Sequence, residues 1–395
     1  MSLLARTSRN PIAKWWWTVD RQMVIGVLVL LGMGFFAAFA ASPAVAQHIG
    51  KSTYYFANKQ LVFLALATMV FLTVSMLDAI WIRHLAVLML IGALGGVVLT
   101  LFAGVTVKGA SRWLHIFGVS IQPSELLKPA FVVVVAWLMA RQRACFKAYD
   151  VWYAMALLVG CCLLLAMQPD FGQTILLALV WMCLFYLAGG SLKLIATLSA
   201  IGLTAGAYVY TAYPYFRSRI ERFLDPSTGD TYQVDKAMDA IRSGGITGVG
   251  PGDGKVKSIL PDAHADYVFA VAAEEGGLIM GGFIILTFAF LVWRALSALR
   301  QENEHWVKLA SAGLICLFGL QAIINLAVNL NLIPSKGMTL PFISYGGSSL
   351  LASAVTMGML VGLMRRRGTA HLRTRALPAT ALPTGTLPMA SGGRS

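Results

Sequence analysis

Leu260-Pro-Asp-Ala-His-Ala-Asp-Tyr-Val-Phe-Ala-Val-Ala-Ala-Glu-Glu-Gly-Gly277 carries a polar loop into a long apolar helix. Asp266 lies at this boundary. A carboxylate loses hydration as it nears a membrane, and acids that bear this cost are usually functional. Eight of the 17 acidic residues fall between positions 213 and 266, namely Glu221, Asp225, Asp230, Asp235, Asp239, Asp253, Asp262 and Asp266. Asp266 is therefore the first candidate for a catalytic residue.

The composition is that of a membrane protein. Hydrophobic residues make up 58% of the chain and charged residues 12%, and the mean hydropathy is +0.72. A bilayer core about 30 Å thick is crossed by about 20 apolar residues of helix. Continuous apolar runs predict an all-α polytopic membrane protein rather than a β-barrel, whose strands alternate. The ten predicted transmembrane helices are 23–41, 59–77, 83–104, 125–140, 151–167, 171–189, 191–212, 267–293, 307–330 and 343–364.

Lysine and arginine indicate the orientation of these helices. They are more frequent in the connections on the side of the N-terminus than in the short connections on the other side, which predicts that both termini are cytoplasmic. We expect a cytoplasmic N-terminal tail at 1–22 and a transmembrane domain at 23–364, with a long external loop at 213–265. A disordered basic tail follows at 365–395. The net charge of +14 reflects this topology, and the sequence outside the tails has no basic, aromatic-rich stripe typical of nucleic-acid binding.

The external loop has a pattern of its own. Asp230 and Gln233 resemble a capping box, apolar residues then follow at helical spacing, and Gly244-Gly245 ends the segment. We predict a short amphipathic helix on the outer face. The glycine-rich run 248–254 is not preceded by a strand, so we interpret it as a flexible hinge rather than a nucleotide-binding loop.

A first polar cluster on the same side joins Ser111-Arg-Trp113 to Gln122-Pro-Ser-Glu-Leu-Leu-Lys128. Glu125 and Lys128 are three residues apart and share a helix face. One interpretation is a salt bridge at the membrane edge. The other is that Arg112 and Lys128 bind a pyrophosphate while Glu125 orients the lysine.

Two further clusters leave their roles open. Gln168-Pro-Asp170-Phe-Gly172 is a tight turn between spans, and Asp170 can serve the turn or bind substrate. The stretch 334–349 is rich in proline, glycine and serine. Because lipid cannot satisfy irregular backbone, this stretch must line a cavity or be buried in protein. The histidines lack ligand spacing, so we predict no metal site formed by the protein alone.

These motifs resemble the shape, elongation, division and sporulation (SEDS) family over about residues 20–367. The matching stretches are Ser-Arg-Trp113, Gln122–Lys128, Gln168–Gly172, Leu260–Glu275 and Leu340-Pro-Phe-Ile-Ser-Tyr-Gly-Gly-Ser-Ser349. Ile333-Pro-Ser-Lys-Gly-Met-Thr-Leu-Pro341 is more similar to the division branch of the family than to the elongation branch. Two departures stand out. Ala265 replaces a common threonine, and the Glu275-Gly276-Gly277 run has glycine where leucine is common.

The resemblance implies a peptidoglycan glycosyltransferase that polymerises lipid II at the outer face of the bacterial inner membrane, at the division septum. Implied partners are the growing glycan strand, a class B penicillin-binding protein and other membrane proteins of the division complex. Asp266 would be the general base, and cations or a divalent metal such as Mg²⁺ or Mn²⁺ would stabilise the leaving pyrophosphate. The candidate substrate-binding residues are Arg112, Glu125, Lys128, Asp170, His264, Lys336, Ser344 and Tyr345.

Three other functions stay open at this point. A transporter that moves lipid II across the membrane would also have many spans and broken polar segments, although no internal repeat is visible. An elongation-type polymerase and a non-catalytic scaffold of the division complex are the others. Glu274 and Glu275 suit helix capping or packing as well as catalysis.

The charge pattern makes a testable prediction about topology. Reporter fusions after Asp253 should be external, and fusions after Arg143 or Arg300 should be cytoplasmic, because long loops cross the membrane largely regardless of charge while short ones obey it. Reporter enzymes active on one side of the membrane only would measure this. A cytoplasmic signal at Asp253 would place Asp266 on the wrong side for an external substrate.

Overall fold

A computed structural model describes residues 10–48, 50, 52–107, 110–116, 119–145, 149–225, 232–250, 252–254, 256, 265–334 and 337–365. Within them, ten helices match the ten predicted spans. They are α2 (Arg21–His48), α3 (Tyr55–Ser75), α4 (Ala79–Ala103), α5 (Pro123–Cys145), α6 (Tyr149–Met167), α7 (Phe171–Leu187), α8 (Leu192–Ala212), α11 (Val268–Leu299), α12 (His305–Asn329) and α13 (Gly347–Leu363). Eight are long and apolar enough to cross a bilayer, while α7 and α13 are shorter apolar helices. A short helix, α1 (Pro11–Thr18), precedes them.

The centre of the bundle is α5. Its apolar window is 83% buried, whereas that of α8 is 0% buried. Helix α5 packs against α4, α6, α12 and α13, and the side chains of the run 130–136 lie within the protein. Helix α5 begins at Pro123, two residues before the predicted span. Proline suits this first turn because it lacks the amide hydrogen that a first turn leaves unpaired.

The predicted helical membrane fold is confirmed, and the structure adds one small sheet to it. Strands β1 (Val105–Val107), β2 (Ala110–Ile116) and β3 (Val119–Ile121) form an antiparallel meander between α4 and α5. Strand β2 alternates at its end, with Leu114 buried and His115 exposed. This period of two is the strand signature, but the run is too short to stand out beside long apolar helices. The sheet positions Arg112 beside the turn between α6 and α7.

Within its described residues, the long loop at 213–265 contains two helices. The predicted amphipathic helix is confirmed as α10 (Tyr232–Gly244), and its Ala237 and Ala240 are fully buried against the bundle. Helix α9 (Pro214–Leu224) is the second, and the sequence analysis did not predict it. It carries both charges and apolar residues, and its short length gives a weak periodic signal.

Helix α11 is broken at Gly277, where φ is +69°. The backbone groups freed by this break bond to the incoming loop. Leu278 N–H donates to the carbonyl of Gly245 at 2.9 Å, and Val249 N–H donates to the carbonyl of Glu274 at 3.0 Å. Irregular backbone among membrane helices is tolerated where protein satisfies it. The start of the run 248–254 is therefore bonded to α11, and its role as a flexible hinge stays a prediction.

Two carboxylates extend the same attachment. Oε1 of Glu274 accepts a hydrogen bond from Val256 N–H at 2.8 Å, and Oε1 of Glu275 accepts one from Gly252 N–H at 3.1 Å. Both glutamates are buried. Hydrogen bonds to charged groups contribute more to stability than neutral ones. The glutamate pair therefore holds the loop, which favours the packing role over catalysis.

The break predicts that alanine destabilises α11 at one glycine and is tolerated at another. Gly277→Ala should lower the free energy of unfolding by at least about 1 kcal/mol, because a positive φ strains other residues. Its new Cβ would also lie 2.3 Å from the carbonyl oxygen of Ile246. Gly282→Ala is the control, since nothing lies within 4 Å of its Cβ position. Thermal unfolding in detergent would measure both, and equal stability of the two variants would contradict the strained break.

Candidate active site

Asp266 is half-buried in the turn that leads into α11. Its backbone carbonyl accepts hydrogen bonds from Nδ2 of Asn325 at 3.1 Å and from Nδ2 of Asn329 at 2.9 Å. A Cβ added at Gly337 would lie 3.5 Å from Oδ2 of Asp266. The carboxylate therefore faces the chain segment that connects α12 to α13.

The two asparagines connect α12 by hydrogen bonds to the turn of Asp266, to the start of α11 and to the segment after α12. They lie one turn apart on α12, and their side chains are almost fully buried. Asn325 also donates to the carbonyl of Met338, and Oδ1 of Asn329 accepts from Ala270 N–H at 3.2 Å. Sequence analysis missed both residues. The sequence feature that could have indicated them is a pair of side-chain amides four residues apart within the apolar span 307–330.

Glu125 and Lys128 form a buried ion pair. Nζ of Lys128 lies 2.9 Å from Oε2 of Glu125 and donates to Oε1 of Gln321 at 3.2 Å. Oε1 of Glu125 accepts from Nε2 of Gln173 at 2.7 Å. The i, i+3 pair predicted from the sequence is confirmed. It is enclosed by the bundle, with 4% of Glu125 and 2% of Lys128 exposed, rather than lying at an open membrane edge.

Helix α12 connects this ion pair to Asp266. Gln321 lies one turn before the two asparagines on the same face, since the three amides are spaced by four residues. Besides its contact with Lys128, Gln321 donates through Nε2 to the carbonyl of Thr339 at 3.3 Å. The same helix face thus contacts the ion pair, the segment after α12 and the turn of Asp266.

Arg112 and Asp170 meet at the turn between α6 and α7. Nη1 of Arg112 lies 3.5 Å from Oδ1 of Asp170, and the guanidinium also donates to the carbonyls of Gln168 and Pro169. Burial raises the pKa of the Asp170 carboxyl above its ordinary value, an effect that Arg112 opposes and the Glu125 charge reinforces. The Asp170 carboxylate therefore pairs with Arg112 at this turn, and its contact with substrate stays a prediction. The Arg112 side chain is 24% exposed, so it is still accessible.

The part of the segment between α12 and α13 that spans 340–344 is buried, which agrees with the prediction from composition. Leu340, Phe342 and Ile343 are almost fully enclosed. Pro341 borders a small cavity whose walls are partly polar. The lining residues are Glu125, Lys128, Leu317, Phe318, Gln321, Pro341, Ala352, Ser353 and Thr356. The irregular stretch is thus both buried in protein and part of a cavity wall.

Ser344 and Tyr345 have local partners. Oγ of Ser344 accepts from Leu340 N–H at 2.8 Å, and its carbonyl accepts from Nε2 of Gln60 at 3.3 Å. The ring of Tyr345 meets that of Phe56 edge-on, with centroids 5.4 Å apart. The Ser344 hydroxyl therefore stabilises the turn, and its predicted contact with substrate stays a prediction.

The structure does not test the predicted roles of two site residues or of a metal ion. His264 and Lys336 lie outside the described residues, so their roles stay predictions. Within the described ranges, no three histidine, cysteine or acidic side chains come together as metal ligands. The acids Glu125 and Asp170 instead face Lys128 and Arg112. No set of protein ligands for Mg²⁺ or Mn²⁺ can be named in this part of the chain.

Two solved structures have a similar fold. A chain of a peptidoglycan synthase complex, in a study of how polymerisation and crosslinking are coordinated, is 24% identical with a TM-score of 0.71 and covers 88% of this chain and 98% of its own. The rod shape determining protein RodA of Thermus thermophilus is 22% identical with a TM-score of 0.66, and the match covers 88% of this chain and 97% of that one.

Sequence relatives span nearly the whole chain. A probable peptidoglycan glycosyltransferase FtsW of Caulobacter vibrioides is 41% identical over 368 residues, which is 93% of this chain and 94% of the relative. A probable peptidoglycan glycosyltransferase FtsW of Halorhodospira halophila is 33% identical, over 93% of this chain and 95% of the relative. The cell cycle protein family of FtsW, RodA and SpoVE matches residues 21–368. With these motifs, this helix bundle and this match, the chain belongs to the FtsW/RodA/SpoVE family, the SEDS proteins.

Proposed function

We propose that this protein is a peptidoglycan glycosyltransferase that polymerises lipid II at the outer face of the inner membrane during septal wall synthesis. The observation that carries the proposal is the carboxylate of Asp266. It is half-buried where the long loop enters the helix bundle, and its backbone is held by two buried amides. The relatives named as glycosyltransferases of the division type support the same reaction.

The reaction requires one base and one site for the leaving group. Asp266 takes the proton from the acceptor sugar hydroxyl as its oxygen attacks the anomeric carbon of the donor. The new glycosidic bond forms while the bond from that carbon to the lipid pyrophosphate breaks. A positioned general base typically contributes about 10²–10⁴-fold to the rate. The half-buried position keeps the carboxylate accessible to a hydroxyl while limiting competing water.

The two candidate cations suit different roles. Arg112 is partly exposed and presents a planar guanidinium, which matches the oxygens of a phosphate. Lys128 is enclosed and already has Glu125 and Gln321 as partners. We therefore assign direct contact with the pyrophosphate to Arg112, and to Lys128 the organisation of the cavity behind it. A divalent cation bound mainly by the pyrophosphate itself is part of this proposal.

The proposed reaction implies the substrates and protein partners of this chain. Lipid II and the growing glycan strand are the two substrates, one as the pyrophosphate-linked donor and the other as the acceptor. A class B penicillin-binding protein then crosslinks the strand, in keeping with the synthase complex whose chain has this fold. We propose that other division-complex membrane proteins recruit the pair to the septum. Both termini are cytoplasmic in this arrangement.

The structural role of Lys128 in the buried ion pair can be tested by substitution. Lys128→Met should lower the free energy of unfolding by about 3–5 kcal/mol, because it leaves Glu125 buried without a counter-charge. The double variant Glu125→Gln with Lys128→Met should recover most of that loss, since no charge is then stranded. Arg112→Ala should reduce polymerisation. It should lower the free energy of unfolding by less than Lys128→Met does, because Arg112 is partly exposed although its partner Asp170 is buried. Unfolding temperature and activity per folded molecule would be measured together, and full stability of Lys128→Met would contradict the pair's structural role.

The assignment of Asp266 as the general base predicts a large loss of glycan synthesis when one carboxylate oxygen is replaced by an amide nitrogen. Asp266→Asn keeps the shape but cannot accept the proton, so glycan synthesis should fall by at least about 100-fold, the lower end of the general-base range. Labelled lipid II, with the purified protein and its crosslinking partner in vesicles, would measure this. Asp253→Asn is the control, because Asp253 is an exposed acid of the same loop.

Three outcomes separate the alternatives. Glycan product from the unaltered protein supports a polymerase. Translocation of lipid II without product indicates a transporter, and neither activity indicates a scaffold. Near-normal synthesis by Asp266→Asn would remove Asp266 as the base, and Glu125 and Asp170 would be the next acids to test.

A further inference from the structure

We infer that Asn325 and Asn329 are positioning residues that hold Asp266 at the geometry required for proton transfer. The inference rests on the proposed function, because it concerns the placement of the proposed base. The hydrogen bonds from both asparagines to Asp266 end on its backbone carbonyl. Both residues therefore act on the base through its backbone.

The first part of the argument is the convergence of two donors on one acceptor. The carbonyl oxygen of Asp266 has two lone pairs, and it accepts from both amide nitrogens, at 3.1 Å from Asn325 and 2.9 Å from Asn329. Asn329 also accepts from Ala270 N–H at 3.2 Å. It thus binds both sides of the turn between Asp266 and Ala270. That turn is fixed against α12.

The second part concerns the surface that the carboxylate faces. Asn325 donates to the carbonyl of Met338 as well as to that of Asp266. Gly337, next to Met338, approaches the Asp266 carboxylate so closely that a Cβ added to it would lie 3.5 Å from Oδ2. A single amide therefore fixes the spacing between the base and the opposite chain segment. Asn329 supports it by donating to Oδ1 of Asn325 at 3.2 Å.

The third part is a comparison of magnitudes. Hydrogen bonds between membrane helices add only modestly to stability on average, so stability alone is a weak reason to bury two amides in an apolar helix. By contrast, a misplacement of about 1 Å at a reacting group can reduce a rate by about 100-fold. The asparagines therefore matter far more for the rate of reaction than for folding.

The test separates these two effects. Asn329→Leu should lower kcat for lipid II polymerisation by about 10- to 100-fold, with KM changed by less than about twofold, because binding of substrate is not its role. The unfolding temperature should fall somewhat, since the buried backbone groups of Asp266 and Ala270 lose a partner, so kcat is compared per folded molecule. Trp181→Phe is the control. It also removes one buried side-chain hydrogen bond to a backbone carbonyl, from Trp181 Nε1 to Ala154 at 3.1 Å between α7 and α6, and kcat should be unchanged.

A double variant shows whether the effect passes through the base. In an Asp266→Asn background, Asn329→Leu should cause no further loss of kcat, since groups that act as a unit are not additive. A further loss of about 10-fold in that background, or a normal kcat for Asn329→Leu alone, would overturn the inference. Should Asn329→Leu fail to fold, Asn329→Ser and Asn325→Leu replace it with the same expected split between kcat and KM, and normal kcat in both would overturn it equally.

The inference and the proposed function fail in different ways. If Asp266→Asn polymerises lipid II at a normal rate, the assignment of the base is wrong whatever the asparagine variants do. If Asp266→Asn is inactive while Asn329→Leu and Asn325→Leu are fully active, the base stands and the positioning role is wrong.

Discussion

Lipid cannot hydrogen-bond a peptide group, and this constraint governs every irregular feature of the bundle. The turn of Asp266 is the clearest case. Its carbonyl would be costly to bury alone, and two amides of α12 satisfy it. A polar residue needed for chemistry thus requires further polar residues behind it, which explains why Gln321, Asn325 and Asn329 lie along one face of an otherwise apolar helix.

The same constraint explains the break in α11. A helix interrupted at Gly277 leaves amides and carbonyls without helical partners, and the loop that arrives from α10 bonds to them. Glu274 and Glu275 then bind the next backbone amides of that loop. The attachment brings the long external loop onto the bundle just before the chain reaches Asp266. The loop is therefore part of the folded framework around the proposed base.

Electrostatics divides the polar residues into two kinds. Glu125 and Lys128 are enclosed and neutralise one another, so their charges organise the interior. Arg112 is partly exposed beside the buried Asp170, and Asp266 is half-buried. Charges that must meet a substrate need some access to it, whereas charges without access must be paired to be tolerated. Exposure thus separates groups suited to chemistry from groups that support them.

Composition and apolar run length determined the membrane class, the ten helices and the helix α10, because burial in lipid depends on local hydrophobicity. Local spacing also determined the pair of Glu125 and Lys128. The contacts of Asn325 and Asn329 with Asp266, 59 and 63 residues away in sequence, depended on the tertiary structure, as did the fastening of 248–250 to α11. The small sheet was an intermediate case, because the alternation in β2 is present in the sequence but is too short to predict a strand. Periodicity reports which face of a helix is buried, but it carries no information on which distant backbone group a buried amide will meet, and only the packed bundle decided that.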